Sequence, residues 1–178
     1  MKTVFILLTL LLCTPANAQT NTFDSRKVEQ IGVYDDWGAF IFKDKKEKVC
    51  FVSSRPVKSR GEYNRRGDVF LTISHRPYED IFDVVTIVSG YMYMPRSDVT
   101  LKIGKYKASF FTYDDTAWAR NLRTDSETVR EMNTGARVTV EGTSIEGVRT
   151  YDTFSLKGFT DALSAINRLC RQPEGAKE

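Results

Sequence analysis

The sequence predicts an all-β protein, mainly an antiparallel β-sandwich, with two short helices of which the last is C-terminal. Roughly eight to ten short apolar runs follow one another at regular spacing, and turn residues separate them. Only two stretches have the periodicity of helices, which argues against a parallel α/β sheet. A closed β-barrel would have the same strand pattern and is the second possibility. At 178 residues the chain suits one domain with a single core.

The first 18 residues have the features of a cleaved signal peptide. Lys2 precedes an apolar run at 4–12, and Ala16-Asn17-Ala18 is an A-x-A cleavage site. We therefore expect an exported protein, with a disordered polar lead-in at 19–30 and a polar tail at 172–178. No later apolar stretch is long enough to span a bilayer, so no transmembrane segment is expected after cleavage.

One domain is predicted over residues 31–171, and its first half has the pattern of antiparallel strands. Apolar runs at 37–42 and 49–54 flank a charged tip, which indicates a hairpin. Alternating residues at 69–74 indicate a half-buried strand. The run at 84–93 is apolar on both faces and therefore indicates a central strand.

Two further hairpins are predicted in the second half. Residues 99–103 alternate, the turn Gly104-Lys105 follows, and residues 106–113 return. Residues 138–141 alternate in the same way and pair with the strand at 151–156 across a glycine-containing turn.

The two helices are predicted from capping residues and apolar spacing. The first covers residues 126–135, with Asp125 or Ser126 as its N-cap. The second follows Gly158 and is capped by Thr160. Its apolar residues recur at helical spacing and should face the strands; they are Leu163, Ile166, Leu169 and Cys170.

Two cysteines remain after signal cleavage, Cys50 and Cys170, because Cys13 leaves with the leader. In an exported, oxidising compartment an intramolecular disulfide between them is favoured. The predicted helix turns Cys170 inward, where Cys50 on its strand could meet it. The alternative is a pair of buried free thiols.

A basic loop after the first hairpin is the best candidate for binding. Its cations could hold phosphate, sulfate or other anionic groups by charge-assisted contacts, and they are Arg55, Lys58, Arg60, Arg65 and Arg66. The alternative is a solvated loop whose charges only hydrate. The loop also contains Arg66-Gly67-Asp68, a tripeptide that serves as an integrin ligand when a loop displays it, although tripeptides recur by chance.

No catalytic or cofactor-binding pattern stands out, and we expect neither an enzyme nor a cofactor or metal. His75 is the only histidine, whereas metal sites and catalytic triads need defined partners. The pairs Asp35-Asp36 and Asp114-Asp115 are at predicted turns, where aspartate is favoured by local hydrogen bonds. The net charge of +3 is too balanced to indicate nucleic-acid binding.

Several segments together resemble the invasion-associated locus B (IalB) family over roughly residues 31–170. The most specific is DTFSLKGF at 152–159, followed by the helical Cys170. The others are Trp37-Gly38, KVCFVS at 48–53, the strand at 71–77, Gly90-Tyr91, Ala117-Trp118-Ala119, and Met132 with Gly135.

This resemblance implies an exported protein of Gram-negative bacteria and no enzymatic reaction. It implies a periplasmic location, with outer-membrane association or secretion as further options, and a contribution to host-cell invasion or adhesion as a virulence-associated protein. The expected partner is an envelope or host-surface protein or an anionic surface. The alternative is a periplasmic structural or housekeeping protein that binds another envelope component and has no host ligand.

Overall fold

Eleven β-strands and two α-helices make up the part of the chain that the computed structural model describes, residues 27–62 and 65–171. The strands are β1 (Val28–Tyr34), β2 (Trp37–Lys43), β3 (Lys48–Ser54), β4 (Lys58–Arg60), β5 (Phe70–Arg76), β6 (Ile81–Val88), β7 (Asp98–Ile103), β8 (Tyr106–Tyr113), β9 (Thr116–Ala119), β10 (Arg137–Thr143) and β11 (Arg149–Ser155). The helices are α1 (Leu122–Thr134) and α2 (Phe159–Cys170). The predicted signal peptide, most of the lead-in and the C-terminal tail lie outside the described residues.

All described strand pairs are antiparallel, and the strands form one continuous sheet in the order β1-β2-β3-β5-β6-β9-β8-β7-β10-β11-β4. The predicted class, mostly antiparallel β structure with two helices of which the last is C-terminal, is confirmed. The described sheet is not closed into a barrel, which was the second possibility.

The hydrophobic core lies on one face of this sheet, because alternate residues of each strand point to the same side. Val52, Ile73 and Val85 occupy one row across β3, β5 and β6, and all three are fully buried. In the other half of the sheet Leu101 on β7 and Val140 on β10 pair in the same way. We call this side the inner face and the opposite side the outer face.

Hydrogen bonds between residues far apart in sequence join β2 and the segment after β3, in the first half of the sheet, to β11 in the second half. Trp37 at the start of β2 donates its indole N–H to the carbonyl of Ser155 at 2.9 Å. Between β3 and β4 the backbone N–H of Val57 donates to the carbonyl of Thr153 at 2.8 Å. These bonds between residues far apart in sequence hold β11 against the beginning of the domain, and they place β4 at the edge of the second half.

Both helices cover the core. In α1, Val129 and Met132 are buried, as the sequence indicated. In α2, Phe159 packs edge-on against Trp37, with ring centroids 4.8 Å apart. A glycine is required at position 158, because its φ is +81° and a Cβ there would collide with the carbonyl of Tyr34.

The predicted hairpins are confirmed, and the differences concern short elements, caps and one strand end, because the central strand predicted at 84–93 is β6, which ends at Val88. β1 begins at Val28, inside the predicted lead-in, because Val28 pairs with Phe42 of β2. β9 was not predicted, since four residues beside a turn give little alternation. The cap of α1 is Asn121, whose side chain accepts the N–H of Thr124, so the helix begins earlier than predicted.

The cap and stripe of α2 also differ from the prediction. Gly158, rather than Thr160, occupies the N-cap. Leu169, which was predicted to face the strands, is 40% exposed. Small residues share the inward surface of α2 with Leu163, Ile166 and Cys170. These small residues are Ala162 and Ala165.

Candidate functional site

A disulfide joins Cys50 and Cys170 and attaches the last turn of α2 to the middle of β3. The two Cα atoms are 6.2 Å apart, and both residues are almost completely buried. Cys50 lies on the inner face opposite His75 of β5. The bridge therefore belongs to the core and fixes the position of the C-terminal helix.

Arg66, which the sequence placed among the anion-binding residues, is buried in an ion pair with Asp152 of β11. Its guanidinium donates two hydrogen bonds to the carboxylate, at 2.8 and 2.5 Å, and a third to the carbonyl of Ser89 at 2.6 Å. The two side chains are only 5% and 4% exposed. Arg66 is thus engaged inside the fold by Asp152 and Ser89, which does not favour the predicted binding of an external anion.

Arg55 also has an internal partner. It pairs with Asp68 at 2.8 Å and lies over the ring of Phe70, with 4.5 Å from the guanidinium carbon to the ring centroid. This pair is exposed to solvent. Because Arg66 is buried and Asp68 is paired with Arg55, the Arg66-Gly67-Asp68 tripeptide is not displayed as an integrin ligand requires.

The remaining cations of the basic loop are exposed, and two of them form an edge strand. Lys58 and Arg60 lie in β4, all of whose residues are exposed. They pair with Thr153 and Tyr151 of β11 and point to the outer face. Arg65 is exposed outside the strands, in the segment that leads to β5.

The sheet extends β4 into a basic outer face that the sequence did not reveal. One register row crosses five strands, from β4 through β11, β10 and β7 to β8. We call it the basic row, and it consists of Lys58, Thr153, Thr139, Lys102 and Lys107. No acidic residue lies in it.

Arginines flank the basic row on both sides. Arg60 and Tyr151 lie in the neighbouring row on one side, and Arg137 lies on the other. A shallow cleft of about 360 Å³ occupies this region, and its lining contains no carboxylate; the lining residues are Lys58, Arg60, Arg137, Thr139, Tyr151 and Thr153.

The carboxylate of Glu141 lies beside the row and orients its neighbours. It accepts a hydrogen bond from Lys102 at 2.7 Å and another from Arg149. These two bonds, that from Lys102 first, hold the pKa of Glu141 below its usual value. Glu141 therefore remains ionised at neutral pH and fixes Lys102 within the row.

His75 is buried and its ring is fully used by the fold. Its Nδ1 accepts the backbone N–H of Asp83 at 3.1 Å, so its Nε2 donates to the side-chain oxygen of Asn167 at 2.9 Å. Burial lowers the pKa of His75, which favours the neutral ring. The residue thus ties α2 to β5 and β6 rather than facing a cleft.

Asp125 in the first turn of α1 is the other buried titratable group. It is 4% exposed and accepts the backbone N–H of Val85 at 2.9 Å. Burial, with a smaller effect of nearby Asp83, raises the pKa of Asp125 to about 6 against the opposing Val85 hydrogen bond. The Asp125 side chain anchors α1 to β6, and the free-energy cost of burying it grows when the carboxyl ionises.

We expect Asp125→Asn to change how stability depends on pH. Because the folded protein holds the Asp125 proton more tightly than the unfolded chain does, its contribution is greatest below about pH 4 and is lost as pH rises through about 6. From about pH 3 to about pH 8 the variant should therefore gain about 3 kcal/mol relative to the wild type. Urea unfolding of both proteins across this range measures the difference, and a difference independent of pH would contradict the expectation.

The described residues, 27–62 and 65–171, show neither a metal-binding group nor a membrane-spanning helix. They contain no group of three or more histidine, cysteine, aspartate or glutamate side chains arranged to hold a metal ion. Within these residues, neither helix has the length and apolar character needed to cross a membrane.

Comparison with known proteins identifies one family. A family model described as the Invasion associated locus B (IalB) protein matches residues 37–167, which is most of the chain. The matched region runs from β2 into α2 and includes the whole basic row. No curated protein and no solved structure matches the chain.

Proposed function

The chain belongs to the invasion associated locus B family, and from this premise we propose that it is an exported, non-enzymatic envelope protein that contributes to host-cell invasion or adhesion by binding a negatively charged partner. The predicted signal peptide at residues 1–18 supports export. The expected location is the periplasm of a Gram-negative bacterium, with outer-membrane association or secretion as further destinations.

The observation that carries the proposal is the basic outer face. Lys58, Arg60, Arg137 and Lys107 make no ion pair with any residue that the structure describes. Exposed cations gathered on one face raise the local concentration of anionic partners and speed their encounter with the protein. Cations on an edge strand such as β4 also prevent that strand from pairing with strands of other chains. A binding experiment therefore has to distinguish this protective role from the binding of a partner.

The test compares the mature wild-type protein with the double variant Lys58→Glu and Arg60→Glu. We expect the variant to bind host-cell membranes about tenfold more weakly at low salt, because two attractive contacts become repulsive. The matched control is Lys45→Glu with Lys46→Glu, which changes the net charge equally on the exposed β2–β3 turn. Equal binding by the wild type and both variants would refute a role for the basic face.

Crosslinking of the native protein identifies the partner and its location. On intact bacteria in contact with host cells, we expect capture of a host membrane component that is not captured from bacteria alone. If every crosslinked partner belongs to the bacterial envelope, the host role is refuted and the housekeeping alternative is favoured.

A further inference from the structure

We propose that the basic row is a binding site for a linear sulfated glycan that lies across the strands, from β4 to β8. This inference rests on the proposed function, because it names the kind of anionic partner that the basic outer face binds. It requires that the row be long, free of carboxylates and able to bind both the sulfate and the sugar groups of such a chain.

The length of the row indicates an extended ligand. Neighbouring strands are about 4.8 Å apart, so the four steps from Lys58 on β4 to Lys107 on β8 span about 19 Å. The two end lysines are therefore too far apart to contact one tetrahedral anion together. A chain with several anionic groups can contact both ends and the middle of the row at once.

The order of side chains along the row matches the chemistry of a sulfated sugar chain. Lysines occupy the ends, where they bind sulfate oxygens by charge-assisted hydrogen bonds. Between Lys58 and Lys102 lie the hydroxyl groups of Thr153 and Thr139, which are half-buried and can bind sugar hydroxyls. Arg60 and Arg137 extend the positive charge on either side of this central part.

The same residues do not favour a lipid bilayer as the partner. Proteins that lie on membranes usually insert apolar side chains beside their cations. None of the large exposed apolar side chains of the described residues belongs to the basic row or lines the cleft. The floor between the cations is formed by hydroxyl groups and by the ring of Tyr151, which suits a polyhydroxylated ligand.

Heparin fragments of increasing length test the inference on the mature protein. We expect salt-sensitive binding whose affinity rises until a fragment spans about 19 Å and then levels off. Lys58→Glu with Lys107→Glu, at the two ends of the row, should weaken binding of the long fragments about tenfold or more. The control Lys45→Glu with Lys46→Glu should leave binding within about twofold of the wild type.

A second pair of variants tests the hydroxyl groups without changing charge. Thr139→Val with Thr153→Val retains the β-branched shape that suits a strand and should weaken binding of heparin fragments several-fold. Absence of heparin binding, affinity that does not depend on fragment length, or equal losses in the end and control variants would overturn the inference.

Vesicles that contain anionic phospholipid separate this inference from the proposed function. If vesicles bind through Lys58 and Arg60 while heparin fragments do not, the glycan inference is wrong and binding of an anionic surface stands. If neither binds and Lys58→Glu with Arg60→Glu leaves attachment to host-cell membranes unchanged, both are wrong.

Discussion

Replacing Cys50 and Cys170 together by serine should lower the free energy of unfolding by about 5 kcal/mol. The disulfide links residues separated by 120 positions, so it removes much of the conformational freedom of the unfolded chain. For a closed loop of this size the chain-entropy model gives about 5 kcal/mol. Such a loss is a large part of the 5 to 15 kcal/mol that typically stabilises a domain.

Urea unfolding of the oxidised wild type, the reduced wild type and the double serine variant measures this effect. The reduced protein and the variant should unfold at similar, lower urea concentrations. A thiol assay on the unfolded, unreduced wild type should find no free cysteine. Two free thiols in that sample, or a variant as stable as the oxidised wild type, would contradict the prediction.

The fold was largely predictable because most of its elements are made by local sequence patterns. In the hairpin of β2 and β3, apolar alternation and a charged turn specify both strands within a short segment. The helix α2 has its glycine start and its apolar stripe within a single stretch as well. β4 was missed because its three residues are all exposed and it is a strand only by pairing with β11.

The candidate site was less predictable, because it depends on the order of strands in the sheet. Lys58 was identified within a cluster of charges along the chain, whereas Lys102 and Lys107 look like ordinary outward residues of a hairpin. Only the pairing of β10 with both β7 and β11 aligns all three in one row. Arg66 shows the reverse case, since its partner Asp152 is 86 residues away and no local pattern distinguishes Arg66 from its exposed neighbours.

Arg66→Met should destabilise the protein by about 3 to 5 kcal/mol, because it leaves the buried carboxylate of Asp152 without its partner. Methionine fills a similar space, so the loss reports the unpaired charge more than a cavity. Asp152→Asn should be costly for the corresponding reason, since the guanidinium of Arg66 then lacks a counter-ion. The double variant Arg66→Met with Asp152→Leu should recover much of the loss, because it removes both charges together.

Arg55 provides the matched control, because its ion pair with Asp68 has the same 2.8 Å separation as one bond of the Arg66 pair. The side chains of Arg55 and Asp68 are 60% and 67% exposed, so water already solvates both charges. Arg55→Met should therefore cost much less stability than Arg66→Met. Urea unfolding at one pH compares the variants. If Arg66→Met costs no more than Arg55→Met, burial does not distinguish the two pairs, and the account of the Arg66–Asp152 pair as a buried ion pair that stabilises the fold is wrong.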